Sequence, residues 1–304
     1  MTEARGMRTK DHCVAFVTMI RDDQFFLRHW IDHYARHVPR AHLFILLDGF
    51  DQTLPAFATG CQVVTLPRTA PGPGWDTRRW EMLANFAATL LGRFDVVVLN
   101  DVDEIILPDP AAGIGLIDAL GRAREIGVIT PFAVEVVHRH DLCPEPITED
   151  RPILRQRPHV RVNDAYAKPC ITAVPLRWNL GGHRSDFPTL NLDEVLYLFH
   201  LRFVDRDLLL ARQASRNAVM QAAVRDQPVV AGSGWAKSEA EIERFLLALQ
   251  EHGDPVDNDF EFGSKRRRMS AGWRQDPASG LWQMGRTYDR NRTYVVPERF
   301  RDLI

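Results

Sequence analysis

The sequence predicts an α/β protein: a mainly parallel central sheet flanked by helices, followed by a helical, loop-rich C-terminal extension. Three observations predict it. Short apolar runs alternate with helical periodicities through the first hundred or so residues, in the order strand–helix–strand–strand–helix–strand. That order is typical of a parallel sheet covered by helices. The run Val96-Val97-Val98-Leu99 is continuously apolar, as in a strand buried on both faces. It stops abruptly at Asn100-Asp101-Val102-Asp103-Glu104, at a strand's carboxyl end, where open α/β sheets bind their ligands.

Residues 1–11 read as a polar leader. The first strand is expected over 13–20, and a helix then runs to about His37. Leu27, Trp30, Tyr34 and Val38 line one face of it, Asp22 or Asp23 caps it and Pro39 stops it. Strands follow over 41–47, ending at Asp48-Gly49, and over 61–66. A Pro- and Gly-rich loop leads into a helix from near Asp76, with Trp80, Leu83, Ala87 and Leu90 inward and Gly92 at its end. After the Val-rich strand, a helix is expected over 113–125 and strands over 128–137, 168–178 and 195–199. Helices over about 205–225 and 239–251 come next, the second opened by the capping box Ser238-x-x-Glu241. Residues 12–203 are thus expected to form the sheet domain, and 204–304 an extension packed on it.

Apolar content of 45% and charged content of 26% suit a globular chain, and a net charge of -2 leaves no electrostatic footprint for nucleic acid. An anionic ligand must therefore find local cations. Cys13, Cys61, Cys143 and Cys170 show no Cys-x-x-Cys pair, which fits a reducing compartment. No apolar stretch reaches the ~20 residues that span a bilayer. These readings point to a cytoplasmic protein with no transmembrane segment, any membrane contact being peripheral and at the inner face.

Two like charges about 4 Å apart repel by roughly 4 kcal/mol at an effective dielectric near 20. The cluster Asp101, Asp103, Glu104 therefore requires a cation, amide donors or open water. In a parallel sheet Arg21, Asp48 and Asp101 all follow strands directly and emerge along one edge. Arg78 and Arg79 fall in the first turn of the second helix, beside amides suited to anions.

Six segments, in order, carry a family resemblance. They are Ile20-Arg21-Asp22-Asp23 with Trp30 and His33-Tyr34; Leu47-Asp48-Gly49; Leu99-Asn100-Asp101-Val102-Asp103-Glu104; Tyr166-x-Lys168-Pro169; Arg177-Trp178-x-x-Gly181-x-His183; and Leu198-Phe199-His200-Leu201-Arg202. Together they cover roughly residues 13–212. The chain resembles the glycosyltransferase family 2-like enzymes of GT-A fold, in a bacterial branch with a strand-end Asp-x-Asp-Glu and a later His-Leu-Arg.

The resemblance implies inverting transfer of a hexosyl group from a nucleotide-diphosphate sugar to a hydroxyl of a glycan, polysaccharide or glycolipid, with Mn²⁺ or Mg²⁺. By it, Asp48 contacts the base or ribose, and Asp101 the ribose or a metal-bound water. Asp103 ligates the metal, and His200 matches a late histidine near metal or diphosphate. Asp101, Asp103 and His200 are the candidate metal residues. Arg21, Asp48, Arg78, Asp101 and Arg202 are the candidates for donor binding. A base for the acceptor hydroxyl is sought in the turn holding His183 and Asp186, with Glu135 and Asp141 as further candidates. The run Lys265-Arg266-Arg267-Arg268 reads as a lid over the diphosphate or as a solvated face, and His138 as a lining of the acceptor cleft. Two other classes stay open: a hydrolase using the same carboxylates, and a nucleotide-sugar-binding protein without catalysis.

Overall fold

Unbroken β-branched runs in the first hundred residues leave little choice but a sheet covered on both faces. In the computed structural model they form β1 (Val14–Ile20), α1 (Gln24–Tyr34), β2 (Leu43–Asp48), β3 (Gln62–Leu66), α2 (Trp75–Leu90) and β4 (Val96–Leu99). The structure describes residues 13–70, 72–222, 233–287 and 292–304, so the expected leader lies outside it. β1 pairs in parallel with β2 and β4, and β2 with β3, giving the spatial order β3-β2-β1-β4. This is the order of one half of a doubly wound nucleotide-binding sheet, whose ligand crevice opens where the strand order reverses.

Beyond β4 the sheet continues with both strand directions. β5 (Glu104–Pro108), β6 (Val128–Val137), β7 (His159–Val162), β8 (Ile171–Thr172) and β9 (Leu192–Phe203) follow. β8 joins β4 to β6 antiparallel, β6 runs parallel to β9, and β5 returns antiparallel along β9. The acidic stretch is therefore a tight turn between two strands. Its second half, Ile105-Ile106-Leu107, is core. The expected strand over 168–178 shrinks to two residues because Pro169 and Pro175 remove ladder donors on either side. The helix expected over 113–125 divides into α3 (Leu116–Gly121) and α4 (Ala123–Ile126), interrupted near Gly121. β9 is far longer than the expected 195–199.

A one-turn helix α5 (Ile153–Gln156) precedes β7. The C-terminal part holds α6 (Arg206–Ala222), α7 (Glu239–Glu251), α8 (Gly263–Ala271), the small pair β10 (Arg274–Gln275) and β11 (Trp282–Gln283), and β12 (Thr293–Val295). The capping box of α7 forms as expected. β12 closes the sheet antiparallel on β7. Phe260, Phe262, Met269, Tyr294 and Phe300 join the same core as Phe16, Trp30 and Val98. No helix among the described residues is long and apolar enough to cross a membrane.

Two core histidines make stability pH-dependent. His33 is 3% exposed and donates Nε2–H to the Ile106 carbonyl at 3.0 Å, while its Nδ1 is buried without a partner. Burial, with repulsion from His37, holds its pKa down at about 3, and burial with the charge of Arg139 holds His159 at about 4. Unfolded, both titrate near about 6.5. Between those values the unfolded chain binds more protons, so this stability is whole above about pH 6.5 and drains away as pH falls, by at most ~1.4 kcal/mol per pH unit for each histidine. Thermal melts from about pH 8 to about pH 4 should show that loss, and His33→Gln, which keeps a donor toward Ile106, should flatten it. An unchanged slope in the variant would remove His33 from the account.

Candidate active site

The carboxyl ends of β1, β2 and β4 place Arg21, Asp48 and the turn after Leu99 on one sheet edge, as the topology requires. Asn100 fixes that turn. It is 3% exposed, accepts from Trp30 Nε1 (3.3 Å), and donates through Nδ2 to the Glu104 carbonyl and to Tyr34 Oη (3.3 Å). Tyr34 Oη also accepts from the Ile106 amide at 3.1 Å. The aromatic face of α1 thus does more than fill the core: its polar tips hold the acidic turn in shape.

Each carboxylate of the turn meets a basic side chain. Lys168 Nζ lies 2.7 Å from Asp101 Oδ2 and 2.6 Å from Glu104 Oε1, and the other Glu104 oxygen accepts from the Asp101 amide at 3.1 Å. Asp101 keeps 39% of its side chain exposed, whereas Glu104 is fully buried. Desolvation raises Glu104 to about 8 against the pull of Lys168. For Asp101 desolvation acts upward too, but Lys168 and Arg79 bring it below the usual carboxylate range. Asp103 is 4% exposed and bound at 2.7 Å by Arg212 Nη1, from α6. Arg212, His200 and Arg216 hold its carboxyl far below the usual range in spite of burial.

Strand register brings the two sequence motifs together. Glu104 on β5 is the cross-strand partner of His200 on β9, and His200 is the partner of Glu135 on β6. The Leu201 amide donates to the Asp103 carbonyl at 2.7 Å. His200 Nδ1 is 2.9 Å from Glu135 Oε1. Glu135 is also ion-paired with Arg161; against desolvation, Arg161 and His200 keep it ionised, at about 2. An ionised carboxylate only accepts, so Nδ1 carries the proton and Nε2 faces Asp103 Oδ2, 3.7 Å away. The Tyr166 ring stacks on the imidazole at 3.8 Å. A carboxylate that orients a histidine by its remote nitrogen is the usual support of a metal-binding imidazole.

The other expected residues separate. The Asp48 carboxylate is half-buried, with no hydrogen bond or ion pair among the described residues; burial raises its pKa, and Arg21, Arg79 and Arg68 oppose the rise. Arg21 does not reach into the crevice as a free cation. It donates to the Asp48 carbonyl (2.7 Å) and forks onto Asp51 (3.0 and 2.7 Å), clamping a loop in which Gly49 has φ +124° and any Cβ would strike Asp51. Arg78 is exposed and donates to the Pro73 carbonyl, while its neighbour Arg79 acts on both Asp48 and Asp101. Arg202 lies near Arg216, and its Nε is buried without a partner.

His183 donates Nδ1–H to the Ala165 carbonyl at 2.6 Å, and any side chain at Gly181 would strike its Nε2. Burial first, then the charge of Lys168, lowers its pKa to about 3. Asp186 instead accepts from the Arg177 amide at 3.0 Å and closes a turn, joining none of the hydrogen bonds of the crevice. Glu135 and Asp141, the further base candidates, are tied up in ion pairs with Arg161 and Arg139. His138 is buried, bonded to the Cys143 carbonyl and the Arg206 amide. Much of the basic run is packing: Lys265 is buried over Tyr294, and Arg266 lies over Phe132 and bonds the Asp193 carbonyl. Lys168, Arg212 and Arg161 are the site residues that sequence reasoning left out. Lys168 stood in the segment Tyr166-x-Lys168-Pro169 without a role, and the spacing of Arg212 and Arg216, one turn apart on a helix face, offered a second signal.

Among the described residues no three His, Cys, Asp or Glu side chains are grouped to hold a metal by themselves. Asp103 with His200 nevertheless fits an ion completed by phosphate oxygens and water, since Mg²⁺ is commonly held by one or two carboxylates plus substrate phosphates and imidazole suits Mn²⁺. If Lys168 is the counter-ion of the acidic turn, Lys168→Met should destabilise the fold by a margin that widens as pH rises above about 8 and Glu104 ionises, and Glu104→Gln in the same chain should remove that widening. Denaturant melts of the two variants check this; a harmless Lys168→Met would end the assignment.

No protein-family model matches the sequence, and no curated protein sequence is similar to it. Among solved structures, one similar to this chain is glucosyl-3-phosphoglycerate synthase from Mycobacterium tuberculosis, in complex with Mn²⁺, uridine diphosphate and glucosyl-3-phosphoglycerate. It is 21% identical over 49% of this chain and 54% of that one, with a TM-score of 0.27. A mycobacterial protein is 16% identical over 94% of this chain and 85% of that one, with a TM-score of 0.35. The chain thus spans about half of the synthase, and neither likeness is close enough to establish more than is visible in the fold itself.

Proposed function

We propose that the protein is a GT-A-type glycosyltransferase that moves a sugar from a nucleotide-diphosphate donor to a hydroxyl acceptor with a divalent cation. The observation that carries this reading is the Asp103–His200 pair. The imidazole is oriented by Glu135 toward a buried carboxylate, beside a nucleotide-type β3-β2-β1-β4 edge that also presents Asp48. Asp103 and His200 would hold Mn²⁺ or Mg²⁺, which when bound neutralises charge on the departing diphosphate as a Lewis acid. Asp48 suits a nucleoside hydrogen-bond donor, and Asp101 a ribose hydroxyl. Arg79 and Arg202 offer guanidinium groups to phosphate. The acceptor in this reading is a glycan or glycolipid hydroxyl, met in the cytoplasm or at the inner face of its membrane.

A glycosidase reading gains no support. It needs two carboxyl groups flanking the scissile bond, and Glu104, fully buried under Lys168, cannot reach one.

Of the two base candidates, His183 is the one beside Lys168 and Asp101. Its Nδ1–H bond leaves the Nε2 lone pair to take the acceptor's proton, so that attack inverts the anomeric centre. At about 3 its pKa makes a weak base, and a bound anion raises it.

Two outcomes are expected. Saturating nucleotide-diphosphate sugar should add about 2.7 kcal/mol of stability at a hundred times its Kd, and only with Mn²⁺ or Mg²⁺ present. Asp103→Asn should abolish that gain. A thermal-shift panel of donors showing no metal-dependent rise would defeat the proposal. His183→Gln should lower kcat by about 100-fold or more with little change in donor KM, whereas Asp186→Asn should stay near wild type. Equal rates for His183→Gln and wild type would return the base to an unassigned group.

A further inference from the structure

Arg212 occupies the carboxylate that a divalent ion would need. Its guanidinium forks onto Asp23 through Nε (2.7 Å) and Nη2 (3.0 Å) and reaches Asp103 through Nη1 (2.7 Å). The side chain is 14% exposed and lies over the Phe26 ring at 4.4 Å. Asp23 stands at the N-cap of α1 yet makes no cap hydrogen bond; its carboxylate is committed to Arg212 instead. The helix thus forgoes a stabilising side-chain cap while that carboxylate anchors the arginine.

Two more guanidinium groups stand close by. Arg216 is one turn further along α6, and Arg202 projects from β9 with its Nε buried and unpartnered. Burial, together with repulsion from Arg212 and Arg202, draws the pKa of Arg216 down to about 10. A cation arriving alone at Asp103 would therefore meet Arg212 on its own ligand and further positive charge behind it. A cation arriving with a diphosphate brings a replacement partner for the guanidinium it displaces.

We propose that Arg212 is a resident counter-ion that couples the two halves of the ligand: a divalent cation takes Asp103 as Arg212 passes from that carboxylate to the diphosphate. The proposal rests on the metal reading of Asp103 and His200 given above. Coupling of this kind is reciprocal, so cation and anion each raise the other's affinity by one factor. It also accounts for a metal site with few protein ligands, because the empty site then keeps its carboxylate neutralised by the chain itself.

The test is Mn²⁺ binding to the full chain without any anion, read from the free-ion electron paramagnetic resonance signal. Arg212→Met should bind Mn²⁺ about 10-fold more tightly than wild type, within the usual range of coupling factors. Inorganic pyrophosphate should tighten Mn²⁺ binding in wild type beyond its own complexation of the ion, and should lose that effect in the variant. Because Arg212→Met leaves the buried Asp103 and the partly exposed Asp23 without their guanidinium, the double variant Asp23→Asn/Arg212→Met is measured beside it, with one of those charges removed. Mn²⁺ affinity unchanged or weaker in the folded variant overturns the proposal while the metal site stands. No Mn²⁺ bound by wild type or variants, and no effect of Asp103→Asn, overturns the metal reading and this proposal together.

Discussion

Glu104, His200 and Glu135 stand side by side on three neighbouring strands, and two buried carboxylates about one imidazole persist only if each is countered from outside the row. The counter-charges are Lys168 on one side and Arg161 on the other. Removing an ion from water costs several kcal/mol even after the protein relaxes, so one missing partner would leave the whole row unstable. This constraint explains the otherwise odd route of the chain after β6. The chain turns back as β7 to bring Arg161 against Glu135, then descends through Tyr166 and Lys168 before the two residues of β8. Tyr166 covers His200, and Lys168 ends between Asp101 and Glu104. One short segment thus supplies both the lid of the imidazole and the charge that lets the acidic turn close.

The same pairing orients the groups that face the crevice. With Glu135 ionised, His200 has one tautomer open to it, and Nε2 is directed at Asp103. Asp103 in turn holds Arg212, and through it α6, which packs by Leu209 against Val137, Phe203 and the α7 residues Ile242, Leu246 and Leu249. The strand-end turn, the late histidine and the C-terminal helices therefore form one electrostatic chain. The part of the protein least informative in sequence is joined to the site through it.

Legibility followed the range of the interactions. β1 to β4 were readable because each is a contiguous apolar run and the helices between them are amphipathic. The parallel order then placed Asp48 and Asp101 on one edge without further information. β5 was not readable: Ile105-Ile106-Leu107 is too short to announce itself, and its partner β9 lies far along the chain. The register that sets His200 beside Glu135 and Glu104 is likewise a long-range fact. Glu135, a further base candidate in the sequence, is buried against Arg161 and bonded to His200 Nδ1 instead. Trp30 and Tyr34 show the converse. Helical periodicity marked them as core, correctly, but periodicity carries nothing about the indole N–H and phenol that hold Asn100.

Overall charge and local charge part company in this chain. A net charge of -2 gives no general attraction for an anion, and the crevice compensates by geometry. Arg79 acts on Asp48 and Asp101 from α2, while Arg202, Arg212 and Arg216 gather at the far side from β9 and α6. In the proposed transfer, donors fixed in advance would stabilise developing negative charge without reorganising at the moment it appears. Where basic side chains meet buried carboxylates, as Arg212 meets Asp103 and Lys168 meets Glu104, each side offsets the charge of the other. Under the proposed function, the pairs that neutralise the acidic turn are also the groups a diphosphate would recruit, so one arrangement would serve both stability and binding.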